Sequence, residues 1–204
     1  MGVPAPAVRH YVRMQRRQAA AVLAARRAWA GVDPSRIAES WREILSGTAL
    51  VSTVGVHQLA AAESGASYGA QTLAAQGVYD APEAFVNPSA FVGFAGSGAP
   101  VEAALYGGAL RSLHWLKLGM STPAAMAGGR SFVEQQASTA VGDAGRSAAG
   151  VDTFSRPKTG YVRMLNPPSC ARCAVLAGKF YRHNEGFCQV PGLVEGQRVL
   201  GFRP

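Results

Sequence analysis

The chain has 204 residues, a length that suits one ordinary domain or a long helical region with a small appended module, and that excludes a large multidomain enzyme. Alanine supplies 37 residues while Leu, Ile, Val and Phe together supply 44, so the composition predicts a mainly α chain of elongated, Ala-rich helices around a thin core. The net charge of +8 is split as +5 over residues 1–50, −2 over 51–150 and +5 over 151–204, which predicts salt-sensitive attraction of both ends to phosphate-rich or acidic surfaces.

The opening residues MGVPAPAV lack a basic stretch followed by a long apolar run, so no secretory signal is expected. The uncharged windows 44–62 and 84–101 have the length of a membrane span. The first is broken by Ser46, Thr48, Ser52, Thr53, His57 and Gln58, and the second by Pro88 and Pro100, so no membrane association is expected. The three cysteines all fall within residues 170–188. An odd count so clustered argues against a secreted disulfide framework and for a cytosolic chain.

Over residues 6–30, Val8, Tyr11, Val12, Ala19, Val22 and Trp29 share one helical arc and predict its buried face. Arg9, Arg13, Arg16, Arg17 and Arg27 gather on another face, with Arg26 inside the apolar arc. Six arginines without a carboxylate before Asp33 fit either a solvated face or contact with nucleic acid or an acidic protein. Asp33-Pro34 predicts a helix start, because Asp accepts free amide protons and Pro tolerates the first turn. Ile37, Trp41, Ile44, Leu45, Thr48 and Val51 continue a stripe toward Leu59, with Gly65 as the expected end. A shorter helix is expected over 67–76, a loop with brief helical turns over 80–100, and a helix over 101–118 capped by Gly119. Thr122-Pro123 restarts helix, and Gly128-Gly129 is expected to divide the segment that follows.

Beyond residue 150 the composition changes. The chain divides into a helical region, 1–150, and a C-terminal module, 151–204. Tyr161-Val162-Arg163-Met164-Leu165 reads as a strand entering a turn at Asn166-Pro167-Pro168, and Lys179-Phe180-Tyr181-Arg182 as its return. Between them lie Cys170 and Cys173, a C-x-x-C spacing that lets two thiolates approach one zinc, and a short helix over 174–177 ending at Gly178. His183 and Cys188 are the candidate third and fourth ligands. Two other uses of the pair remain open: reduced thiols packed in a core, and a redox pair, which needs a βαβ setting that this region is short for. Overall the expected class is α+β, a strand–knuckle–strand module following helices.

Gly65-Ala66-Ser67-Tyr68-Gly69 fits the G-x-S-x-G pattern, whose chemistry requires a strand-to-helix turn. The preceding residues read as helix, so the pattern is expected to be a helix break. His57 and His114 receive no role, the carboxylates Glu63, Glu83, Glu102 and Glu134 are scattered, and Gly93–Gly98 lacks the Lys-Ser/Thr of a phosphate loop.

Residues 163–173, RMLNPPSCARC, with Leu176-Ala177-Gly178-Lys179-Phe180-Tyr181-Arg182 and Asn184-Glu185-Gly186-Phe187, resemble the Mu F-like minor head, or head morphogenesis, proteins of tailed phages and prophages of actinobacterial hosts. The resemblance covers about 25 residues of the C-terminal module closely and the helical region only in style. It implies a minor capsid protein acting in procapsid assembly near the portal, with portal and capsid proteins as partners, located in the host cytoplasm and then inside the virion head. It also implies a metal site, which residue types assign to Cys170, Cys173, His183 and Cys188 around zinc. The family's closing Cys/His cluster has no counterpart in 188–204, so the module is read as truncated or altered after 187. Two alternatives accompany this reading. One is a zinc knuckle that grips DNA through Arg163, Arg172, Lys179 and Arg182, with Arg9, Arg13, Arg16 and Arg17 as further phosphate contacts and Tyr161, Phe180 and Tyr181 for stacking. The other is a capsid maturation protease using Ser67 with His57 or His114.

Overall fold

A computed structural model describes residues 4–47, 49–163, 175, 178–182 and 198–202. The chain is mainly helical, with a small antiparallel sheet near the C-terminus, as the composition predicts. The elements in chain order are α1 (Ala5–Trp29), α2 (Ile37–Gly47), α3 (Leu50–Ala74), a 3-10 turn over Pro88–Phe91, α4 (Val101–Lys117), α5 (Thr122–Phe154), β1 (Thr159–Arg163), β2 (Phe180–Tyr181) and β3 (Arg198–Phe202). Two compact units form. The first comprises Met1–Tyr11, Ser64–Asn87 and Ala148–Pro204, and the second Val12–Glu63 and Pro88–Ser147.

The core of the second unit is built from alanines and two tryptophans. Ala21, Ala25, Ala61, Ala109, Ala137 and Ala140 are buried beside Trp29, Trp41, Leu105, Val133 and Val141. Trp29 and Trp41 meet edge to face with ring centroids 4.9 Å apart. Each indole N–H donates to a helix carbonyl, Trp29 to Met126 at 3.1 Å and Trp41 to Leu105 at 3.0 Å, so neither polar edge is stranded. Small side chains let helices approach closely, and the two large rings fill the space that alanine leaves.

Gly128-Gly129 does not divide the last helix: α5 is continuous from Thr122 to Phe154. The glycines serve contact instead. A Cβ on Gly129 would lie 2.0 Å from Ser112 Oγ, 2.5 Å from the Trp29 ring and 2.8 Å from the Gly108 carbonyl, and one on Gly128 would lie 2.2 Å from the Trp115 ring. Gly108 on α4 is equally tight, 2.2 Å from a Val133 methyl. Gly65 likewise fails to end α3, which continues through the expected break and absorbs the separate helix expected over 67–76. The true end of α3 comes at Gly77, whose φ of 71° suits glycine, with Val78 N–H donating to Leu73 O at 3.0 Å and Gly77 N–H to Ala74 O at 3.0 Å. Gly119 closes α4 in the same way, as expected.

Asp33 starts α2 through a turn rather than directly. Its carboxylate accepts from Ser35 N–H at 2.8 Å and from Ser35 Oγ–H at 2.7 Å, and helix begins at Ile37. These two hydrogen bonds, side chain first, hold the Asp33 carboxyl below its usual range. The loop before α4 is pinned by buried Gln58, which donates to Phe94 O at 2.7 Å and Ala140 O at 3.3 Å and accepts from Gly93 N–H at 2.9 Å.

The buried face of α1 differs from the expected one. Ala7, Met14, Ala21, Ala25 and Trp29 are buried, whereas Val8, Tyr11 and Val12 are exposed. At ~100° per residue the observed face is turned by roughly 90° from the predicted apolar arc. The inner line has alanine at Ala7, Ala21 and Ala25 and carries two large residues, Met14 and the expected Trp29.

In the first unit β1 is the central strand, order β2-β1-β3, antiparallel to both neighbours. The expected strand and return strand pair as Tyr161↔Tyr181 and Val162↔Phe180. β3 was not expected; its backbone pairs along all of β1, from Thr159↔Phe202 to Arg163↔Arg198.

The glycine contacts yield a stability test. Gly129→Ala pushes a methyl into backbone and an indole ring, and is expected to cost about 1–3 kcal/mol in denaturant or thermal unfolding. Gly47→Ala, at a helix position with nothing within 4 Å, is expected to be neutral or slightly stabilising. Equal effects at the two sites would show that the close α4–α5 approach is not what constrains Gly129.

Candidate functional site

The sequence-designated metal ligands Cys170, Cys173, His183 and Cys188 lie outside the described residues, as does Arg172. What is described is the stem that carries them. Val162↔Phe180 pairing brings Arg163 and Lys179 to the same end of a two-stranded ribbon, so residues 164–179 leave and return at neighbouring points. Gly178, at φ 73°, takes the left-handed conformation just before the return strand. Arg163 is described only as backbone. Lys179 is exposed.

Arg182 is directed inward. Its guanidinium donates to Thr153 O at 3.4 Å, to Phe154 O at 3.3 Å and to Thr159 O. The first two are carbonyls of the last turn of α5, the end that carries the negative pole of the helix dipole. Arg182 therefore ties the return strand to the end of α5 and to the start of β1.

Below this stem lies a buried polar network that the sequence reading did not single out. Asp152 and Arg156, one helical turn apart, form an ion pair with both side chains only 6% exposed, bonded at 2.9 Å through Nη2 and 3.1 Å through Nε. Arg156 also donates to the Asp80 carbonyl. The Asp80 carboxylate accepts from Thr159 Oγ1–H at 2.6 Å and Lys158 N–H at 3.1 Å. Gly69 on α3 makes room, since a Cβ there would stand 2.1 Å from Asp152 Oδ2. Asp80, Asp152, Arg156 and Thr159 are all buried, and the loop at Asp80 is stitched further by Glu83 N–H to Ser155 O at 2.8 Å. The pair's spacing, Asp152 in the last turn of α5 and Arg156 four residues on, just past the helix end, was the one legible signal.

Ser67 sits within α3, exposed, its hydroxyl donating to Ser64 O at 3.3 Å. The position is neither the expected helix break nor a strand-to-helix turn, so the elbow geometry that would expose a strained nucleophile is not formed at Ser67. Nearby, His10 stacks on Tyr68 at 4.6 Å with its Nδ1 2.9 Å from the buried Ser64 hydroxyl, an α1–α3 contact also unforeseen from sequence.

The arginine face of α1 is solvent-facing as read: Arg9, Arg13 and Arg16 are exposed and Arg17 half-buried. Arg26, the one arginine inside the predicted apolar arc, forms a two-pronged pair with Glu134 of α5 at 2.8 and 3.1 Å. The hydrogen bond from Arg26, then its charge and that of Arg130, holds the Glu134 carboxyl below its usual range against the opposing effect of burial. His57 is held below the usual imidazole range, first by partial burial and then by the charge of Arg17.

Among the described residues no cluster of three or more His, Cys, Asp or Glu side chains could hold a metal ion. No single described helix is long and apolar enough to cross a membrane; α2 and α3 taken together reach that length and apolarity but are bent by 56° at their junction. No protein-family model, curated protein or solved structure matches the chain.

Two measurements probe these electrostatics. Asp152→Ala strands a buried guanidinium and is expected to cost about 3–5 kcal/mol, whereas replacing the pair by Asp152→Leu with Arg156→Met is expected to cost much less. A double variant no more stable than the single one would contradict this. For His57, a folded-state pKa below the unfolded one means stability is whole above the unfolded value, about 6.5, and declines as pH falls toward the folded value. His57→Gln should flatten that decline in melting temperature, and an unchanged slope would remove His57 as its source.

Proposed function

We propose that the chain is a phage minor capsid protein of the head morphogenesis type, acting in procapsid assembly, with a zinc knuckle carried on the β1–β2 stem. The observation that carries the reading is the antiparallel pairing of β1 with β2, because it brackets the Asn166-Pro167-Pro168-Ser169-Cys170-Ala171-Arg172-Cys173 run and brings the two ends of that segment together. A C-x-x-C in a segment whose two ends are brought together by strand pairing suits two thiolates approaching one tetrahedral ion. Cys170, Cys173, His183 and Cys188 would hold it, and the metal would supply cross-linking energy to a module with little apolar core.

The helical region fits the same reading: its helices, lined by alanine and glycine, pack closely, and Ser67 lies inside α3, where the strand-to-helix elbow of a G-x-S-x-G nucleophile is not formed. The rival reading as a DNA-binding knuckle gains from exposed Lys179 and exposed Arg9, Arg13 and Arg16, and loses from Arg182, whose donors face protein carbonyls. Phosphate contact by the module is thus assigned to Arg163, Arg172 and Lys179.

Two outcomes are expected. Tagged protein isolated from a phage-producing host should bring down portal or major capsid subunits, and recovery of neither would remove the assembly role. The purified chain should hold zinc at about one ion per chain, lost in Cys170→Ser with Cys173→Ser; a metal content unchanged by these substitutions would remove the knuckle.

A further inference from the structure

We propose that the outward face of α1 over residues 12–27 is a docking surface for an acidic amphipathic helix of a partner protein. The proposal rests on α1 and its groove in the second unit and needs neither the zinc knuckle nor the identity of any capsid subunit.

The apolar residues there are not used by the core. Val12 and Leu23 are 39% and 44% exposed, Ala19 is exposed and Val22 half-buried, while the buried line of the helix runs through Met14, Ala21, Ala25 and Trp29. Val12 and Ala19 stand seven residues apart, with Val22 and Leu23 three and four residues beyond Ala19, an exposed apolar seam of the kind a second helix covers; Gln15 and Arg26, at the same spacing, are polar. This seam borders a shallow groove of about 590 Å³, lined by Gln15, Gln18, Ala19, Val22, Leu23 and Ser138. Gln18 closes its floor by donating to Ser138 O at 3.3 Å, and the Arg26–Glu134 pair marks one end.

Charge selects the occupant. Arg16 and Arg27 run along one side of the seam, with Arg13 farther round the helix on that side, and none of the three has an ion-pair or hydrogen-bond partner among the described residues. α1 carries no acidic residue at all. A second copy of α1 would set arginines against arginines, so self-pairing is disfavoured. A helix with an apolar seam and carboxylates at its flanks satisfies both features at once. Nucleic acid would use the arginines and leave Val12, Ala19 and Leu23 unexplained. A lipid surface would call for interfacial aromatics, and residues 12–27 contain none; Tyr11, exposed just before them, is the single aromatic at that end.

The test uses the full chain and a labelled synthetic amphipathic peptide with Leu along its seam and Glu on both flanks, its counterpart with Lys in place of Glu, duplex DNA, and phosphatidylcholine–phosphatidylserine vesicles. In anisotropy titrations the Glu peptide should bind at least about tenfold tighter than the Lys peptide. Leu23→Asp should weaken it by about tenfold, and Arg13→Glu with Arg16→Glu and Arg27→Glu should reverse the preference. All four positions are exposed, so the melting temperature should hold; should Leu23→Asp unfold the chain, Ala19→Glu replaces it. Equal binding of the two peptides, indifference to the seam substitution, or tighter binding of DNA or vesicles than of the Glu peptide overturns the proposal. The peptide assay can fail while capsid subunits still co-purify, and the reverse, so the two readings are separately exposed.

Discussion

Close approach of α4 to α5 is the constraint on which the second unit depends. Gly108, Gly128 and Gly129 leave no room for a methyl, and the rings of Trp29 and Trp115 lie against the bare backbone that results. A core of alanines gains little from transfer of each side chain, so its stability must come from contact density, and contact density falls steeply with separation. A methylene that an ordinary leucine core absorbs by repacking has little room here, because the neighbouring atoms are rigid indole rings, buried side chains and, at Gly108 and Gly129, the facing backbone carbonyls. Gln58 works within the same tightness. It is fully buried, yet both its donors and its acceptor are engaged, so it fixes the loop at Gly93 and Phe94 without leaving a polar atom unpaired.

The first unit is held by a different device. Its apolar cluster is small, Ala7 and Tyr68 with Ala149 and Tyr161 packed against them. Order around β1 therefore leans on the Asp152–Arg156–Asp80–Thr159 network and on Arg182 at the end of α5. Such a network contributes most through specificity: any displacement of β1 leaves a charge or carbonyl in apolar surroundings without a partner. The stem that presents residues 164–179 thus has its base set by hydrogen-bond geometry, which a small apolar cluster alone could not define.

How much of this was legible in the sequence follows from what each residue type can signal. The helices, the stop at Gly119, the restart at Thr122 and the β1–β2 pairing were readable, because periodicity, turn residues and β-branched runs act locally. Glycine misled at Gly65 and Gly128-Gly129. It signals either a free backbone or a missing side chain, and the difference depends on a neighbour distant in sequence; positive φ occurs at Gly77 and Gly119, not at the three interior positions. The Asp152–Arg156 spacing was visible but its burial was not, since burial comes from Gly69 and Asp80. β3 was missed because its pairing with β1 is entirely non-local. The metal and knuckle expectations fall on residues outside those described and stand as proposals.

The displaced face of α1 links these points. Hydrophobic periodicity assumes that the largest apolar side chains are the ones a fold buries, and in α1 this holds for Trp29 and fails for Val8, Tyr11 and Val12, because the inner line runs through Ala7, Met14, Ala21 and Ala25. Val12 and Leu23 are then left partly exposed, on the side of the helix that also carries Arg16 and Arg27. An exposed apolar residue taken singly needs no explanation. A seam at seven-residue spacing beside unpaired cations is different, because apolar exposure and like-charge crowding both carry a cost that one partner helix of opposite charge removes together.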